Sequence, residues 1–273
     1  MQNFSFHTHT NFSDGNNTLE EMIDRALHLG FKEIGISDHL IVHKNIKQSP
    51  SWNLIKDNAC FSDFNQVLDL CRFHADEIRK IGRQKGIKTF VGYEVDYFIY
   101  NGWEDEFRSF LKQIDYDYLI SGNHFFMSQN GEDMYDIWRF KSADNFAPED
   151  TTVYLKRHFE AMRQAVQSTL FLFLAHLDYA QRTEDYKESN YKKEIENLID
   201  ALKETNTGCE ISTKGIRKFG HFYPSENILS QLIKKDIPII ISDDAHLTDE
   251  LGLYFAEAEE MLQKLGCRTR LKF

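Results

Sequence analysis

Six of the eleven histidines in this 273-residue chain have neighbours suited to holding a cation. His7 and His9 are separated by one residue. His39 follows Asp38, His124 follows Asn123, His176 opens His176-Leu177-Asp178, and His246 closes Asp243-Asp244-Ala245-His246. Asp14, Glu94 and Asp244 add carboxylates. On an extended segment, side chains at i and i+2 point the same way, so both imidazoles of His7-x-His9 can reach one ion. Imidazole plus carboxylate, without thiolate, suits divalent zinc, iron or manganese. One such histidine is commonly a hydrogen-bonded core or loop residue. Six of them with three carboxylates would need independent coincidences to mean nothing.

The elements that must position them follow from the hydrophobic pattern. Short β-rich runs at 3–7, 33–38, 88–94, 118–123, 170–175, 209–212 and 238–242 alternate with helix-like runs at about 18–30, 62–84, 104–113, 150–167, 190–204, 224–235 and 248–265. Thr18-Leu19-Glu20-Glu21 is a capping box, and Gly30 is a stop for the first helix. Residues 41–59 lack periodicity and contain Pro50, so they read as a long loop. Seven strands alternating with helices predict a parallel α/β architecture, either a barrel or an open doubly wound sheet. No G-x-G-x-x-G follows the first strand, which counts against a dinucleotide-binding sheet. All six histidines fall at or just past the carboxyl end of a predicted strand. In a β/α barrel those ends converge on one face. His28, His74 and His158 fall within predicted helices and read as surface or flanking residues, and His43 as a loop residue near the site.

No repeat or linker divides the chain, so residues 1–273 read as one domain. The formal charge is −11, from 43 acidic and 32 basic residues. No Lys/Arg run exceeds two, which argues against nucleic acid as a partner. No apolar stretch approaches the roughly 20 residues that span a bilayer. The first residues lack the basic and apolar regions of a signal peptide. Cys60, Cys71, Cys209 and Cys267 have no metal-type spacing and read as free thiols in a reducing cytoplasm.

The ordered motifs His7-Thr8-His9-Thr10, Ser37-Asp38-His39, Gly92-Tyr93-Glu94, Asn123-His124, Ala175-His176-Leu177-Asp178 and Asp244-Ala245-His246 resemble those of the PHP (polymerase and histidinol phosphatase) family of phosphoesterases. The resemblance implies a seven-stranded, distorted, TIM-like (β/α)7 barrel. It implies three divalent ions. His7, His9, Glu94 and Asp244 would hold the first. Glu94 would bridge to a second, held by His124 and His176. Asp14, His39 and His246 would hold the third. The string Thr10-Asn11-Phe12-Ser13-Asp14-Gly15 is similar to the histidinol-phosphatase branch. So is Glu210-Ile211-Ser212-Thr213-Lys214-Gly215-Ile216-Arg217-Lys218 with Tyr223-Pro224-Ser225. Gly122-Asn123-His124 and residues 179–183 depart from that branch.

The resemblance thus implies a small-molecule phosphomonoesterase, with L-histidinol phosphate of histidine biosynthesis as the leading substrate. Phosphotyrosine, nucleotide monoesters and a non-catalytic metal-binding module are the alternatives. Three ions, three carboxylates and a bridging hydroxide leave the pocket about two units positive, which suits a phosphate dianion. Such a hydroxide would attack phosphorus in line. Glu94, Asp244 and His246 are the catalytic candidates, with Asp244 a possible proton carrier. Arg217 is a candidate phosphate clamp, because guanidinium matches phosphate bidentately. Lys214 and His221 share its loop; His221 either protonates the leaving alkoxide or is an exposed loop residue.

Overall fold

The computed structural model describes residues 2–49, 59–128, 134–137, 150–183 and 186–273. The strands are β1 (Phe4–Ser5), β2 (Glu33–Ile36), β3 (His39–Val42), β4 (Cys60–Phe61), β5 (Lys88–Val95), β6 (Tyr118–Ser121), β7 (Phe125–Met127), β8 (Met134–Asp136), β9 (Phe173–Leu174), β10 (Gly208–Ser212) and β11 (Ile239–Ser242). The helices are α1 (Leu19–His28), α2 (Leu68–Lys85), α3 (Trp103–Leu111), α4 (Thr151–Gln167), α5 (Lys192–Thr205), α6 (Lys214–Phe219), α7 (Glu226–Lys234) and α8 (Phe255–Lys264).

Seven strands pair side by side in parallel, in the order β1-β2-β5-β6-β9-β10-β11. The sheet curls until its two ends meet. Thr8 bridges Ala245, with His9 N donating to Ala245 O at 2.9 Å, and Ser5 Oγ donates to Asp243 Oδ1 at 2.9 Å. This is the seven-stranded β/α barrel that the family resemblance implies, and it decides between the barrel and the open sheet that the alternation left open.

Strand alternation decides what the interior holds. Phe90, Gly92 and Glu94 lie on one face of β5. At the amino end of the barrel that face is apolar, where Phe6, Phe90, Tyr118, Ile120, Phe173 and Ile240 pack together. Tyr118 reaches across to donate to Phe6 O at 2.9 Å. A β-carbon at Gly35 or Gly92 would overlap its ring, so both glycines make room for this plug. The larger cluster lies between the outer strand faces and the helices. Among the described residues no helix is long and apolar enough to cross a membrane.

Several boundaries differ from the pattern-based reading. The capping box at Thr18 is present, with Glu21 returning the bond to Thr18 N. However, α2 begins at Leu68, because Asp63 caps a 3-10 turn at Phe64–Gln66 instead. Likewise α8 begins at Phe255, after a 3-10 turn at Thr248–Glu250. The stretch read as a long loop opens with the end of β3 and holds a 3-10 turn at Ile46–Gln48; its residues 50–58 lie outside the described residues. The antiparallel pair β7–β8 and the short helix α6 are additions to the expected set.

Candidate metal centre

The barrel brings all nine predicted ligands together at the carboxyl ends of its strands. The loop after β1 carries His7, His9 and Asp14. Strand β2 stops at Ile36, the chain turns through Ser37-Asp38, and β3 resumes with His39 directly opposite Glu94 in the parallel register. Glu94 is on β5, His124 follows β6, His176 follows β9, and Asp244 and His246 follow β11.

Glu94 sits at the middle of the cluster, fully buried. Its Oε1 faces His176 Nε2 at 2.9 Å and His124 Nε2 at 3.6 Å. Its Oε2 faces His7 Nε2 at 3.3 Å, His9 Nε2 at 3.4 Å and His39 Nδ1 at 3.0 Å. Asp244 Oδ1 lies 3.6 Å from His7 Nε2 and 3.3 Å from His9 Nε2. Asp14 Oδ1 lies 3.5 Å from His39 Nε2 and 3.2 Å from His246 Nε2. These groups could hold metal ions, but they overlap rather than divide into the three sets the motifs imply: His9 joins Asp14, His39 and His246, His176 groups with His7 and Asp244, and His39 also groups with Glu94 and His124.

An independent observation tests the fit. His7 Nε2, both ring nitrogens of His9, Glu94 Oε2 and Asp244 Oδ1 are buried without a hydrogen bond. Buried polar atoms are normally paired, so a converging set of unpaired donors and acceptors calls for a ligand between them. Backbone strain lies at the same place. His176 and Asp244 both have positive φ, 25° and 48°. Non-glycine residues rarely adopt such values, and they cluster at functional sites.

Charge follows from contact. Burial disfavours charge on Glu94 and Asp244, but the surrounding histidines, and Lys214 beside Asp244, hold both well below the usual carboxylate range. Burial, with His246 and His39 close by, lowers His9 to about 3, which leaves its ring neutral and able to ligate. Burial also opposes charge on His39, yet Asp14 and Glu94 outweigh it and raise that imidazole to about 9.

Three carboxylates that spacing did not single out support the ligands from behind. Glu210, on β10, accepts from His7 Nδ1 at 2.8 Å, from His176 N at 2.7 Å and from Ser242 Oγ at 2.5 Å. Asp96 accepts from His124 Nδ1 at 2.8 Å and from His124 N at 2.6 Å. Each fixes the ring proton on Nδ1 and turns Nε2 toward the cluster. Asp38 backs the loop that carries Asp14. Asp38 and Glu210 lie within the quoted motifs, whereas for Asp96 the sequence offers only an acidic residue just past a strand end.

The remaining candidates divide. Lys214 Nζ is 2.8 Å from Asp244 Oδ2, and burial against its charge is outweighed by that carboxylate, which raises the amine. Arg217 Nη2 donates to Asp244 O at 3.1 Å, and its Nε lies 3.4 Å from Glu250 Oε1. Both sit on α6, at the rim. His221 is exposed beyond that helix, with its ring beside Phe219 and Tyr223. His28 is exposed as expected. His74 and His158 are not: both are buried, His74 against Asp38 and His158 edge-on to Phe126 at 5.2 Å. Their helices pack on two sides, which periodicity alone does not reveal. His43 is buried at the end of β3 between Phe98 and Tyr100.

A parallel β/α barrel with a buried His/carboxylate pocket at its carboxyl-terminal rim defines the class as a metal-binding barrel. The family model described as the PHP domain matches residues 5–214, and the chain belongs to the PHP family. A curated relative from Deinococcus radiodurans is 22% identical over 183 residues, which span 66% of this chain and 65% of the relative. The histidinol-phosphatase of Bacillus subtilis is 24% identical over 276 residues, 92% of this chain and 96% of the relative. The histidinol phosphate phosphatase of Lactococcus lactis, solved with zinc, L-histidinol and phosphate, superposes with a TM-score of 0.70 at 19% identity, covering 98% of this chain and 95% of that one.

Proposed function

We propose that this chain is a metal-dependent phosphomonoesterase that hydrolyses L-histidinol phosphate in the cytoplasm as a step of histidine biosynthesis. The observation that carries the reading is the convergence of unpaired, buried imidazole and carboxylate atoms around Glu94 and Asp244. The names of the relatives and the ligands of the Lactococcus structure support the substrate and favour zinc.

Bound divalent ions supply an activated water and charge to neutralise phosphoryl oxygens. The chain's own residues do the rest. Glu94 presents Oε1 to His124 and His176 and Oε2 to His7, His9 and His39, and it would be a ligand shared between ions. Glu210 and Asp96 hold His7 and His124 in one tautomer. Asp244, kept anionic beside Lys214, is the candidate to take the proton that the attacking water gives up and to return it to the leaving alkoxide, and His246 stands beside it, 3.4 Å from Asp244 Oδ1. Lys214 and Arg217 place two cations at the rim, where a phosphate dianion enters. His221, exposed beyond them, is left as a contact to the rest of the substrate.

The test is phosphate release from a panel of monoesters by metal-stripped protein reloaded with zinc, manganese or iron. Histidinol phosphate should show the highest kcat/KM, and stripped protein none. Preference for phosphotyrosine or a nucleotide would replace the substrate. Turnover by verified metal-free protein would end the metal reading.

A further inference from the structure

The ligands read for the third ion come from three segments: the loop after β1, the start of β3 and the turn after β11. Asp14 is the least enclosed of the nine, with its side chain 31% exposed, and no strand carries it. Its position depends on how residues 10–15 turn. Ser13 N and Gly15 N both donate to Thr10 O, at 3.1 and 2.9 Å. One carboxylate then ties both ends of that turn. Asp38 accepts from Thr10 N at 2.7 Å, from Thr10 Oγ1 at 2.8 Å and from Ser13 Oγ at 2.6 Å.

Asp38 is itself held from α2. His74 Nε2 donates to Asp38 Oδ2 at 2.9 Å. Phe12, inside the same turn, lies flat on the His74 ring, with centroids 3.8 Å apart and planes 6° from parallel. His74 therefore grips the turn twice, once through Asp38 and once through Phe12. Asp38 also precedes His39 in the chain, so a shift of Asp38 moves two ligands of the same ion. The other two groups have their own supports: Glu210 behind His7 and His176, and Asp96 behind His124.

We infer that His74 is a positioning residue for the third ion and sets its occupancy without touching it. The inference rests on the three-ion reading above. Outer partners of this kind are typically worth about 10–100-fold in metal affinity.

The experiment counts bound zinc by elemental analysis after equilibration at a series of buffered free-zinc levels. His74→Leu removes both grips. His74→Gln keeps an N–H toward Asp38 and loses the stacked ring. Ser13→Ala cuts one tie without touching α2, so it reports even if the His74 variants fold poorly. Wild type should fill three sites. His74→Leu should fill two as tightly as wild type and the third about 10–100-fold more weakly. Ser13→Ala and His74→Gln should weaken the same site by less. Wild-type affinity at all three sites in His74→Leu and Ser13→Ala overturns the inference. So does equal weakening of all three with a lowered Tm, which would make His74 structural only. Fewer than three ions in wild type would instead overturn the three-ion reading, and the inference with it.

Discussion

The carboxylate of Glu94 fills the space that a side chain at position 122 would need. A β-carbon on Gly122 would overlap Glu94 Oε1, Cδ and Cγ. The glycine just before Asn123-His124 is therefore a condition for burying the central carboxylate against β6. Gly122→Ala should push Glu94 out of line with His124 and His176. We expect turnover to fall on the order of 100-fold, or roughly 2.7 kcal/mol in the barrier, with bound metal reduced. Wild-type kcat and metal content in a folded Gly122→Ala protein would contradict this account of Glu94.

Glu94 faces histidines of all three expected sets, His124 and His176 through Oε1 and His7, His9 and His39 through Oε2, whereas among the described residues His39 pairs only with Glu94 and Asp14. Glu94→Gln should therefore reduce turnover more than His39→Ala does. A gap of about tenfold, or about 1.4 kcal/mol, is expected in kcat at saturating metal. Equal losses would argue against Glu94 as the bridge.

Ion loading should release protons. In the ion-free protein His39 titrates at about 9, above its ordinary 6.5. A raised pKa means that charge on His39 stabilises the ion-free fold fully below about 6.5, and that this contribution is lost as pH rises through about 9. A ligating imidazole must be neutral, so binding at pH 7 displaces that proton and affinity should climb with pH. Calorimetric titrations in buffers of different ionisation heat should show proton release at pH 7 and less above pH 9. A buffer-independent heat at pH 7 would refute it.

Arg217→Ala should raise KM for the phosphomonoester about ten- to a hundredfold, the worth of a charge-assisted bond of roughly 1.5–3 kcal/mol. Because Arg217 also donates to the Asp244 carbonyl, metal content must be measured beside KM. Raised KM with metal retained supports the clamp. Unchanged KM returns Arg217 to a brace between Asp244 and Glu250.

The first-order chemistry of the site was legible along the chain. Strand runs have a period of two and end in recognisable places, so His7, His9, His39, Glu94, His124, His176, Asp244 and His246 could be assigned to one rim before any contact was known. The capping box at Thr18 was equally local. Gly122 appeared in the sequence only as a departure from the expected motif; its reason is a carboxylate on the neighbouring strand.

Everything that depends on a partner far away in the chain needed the tertiary structure. Glu210 meets His7 across 203 positions, and His74 meets Asp38 across 36. Glu210 opens a motif similar to the histidinol-phosphatase branch, but nothing near it says that it meets His7, and nothing near His74 distinguishes it from an ordinary helix histidine. Periodicity says which way a side chain points, because backbone geometry repeats within a strand or helix. What it meets there is decided by the register of parallel strands and by which helix face is covered, and those are set by packing between segments remote in sequence.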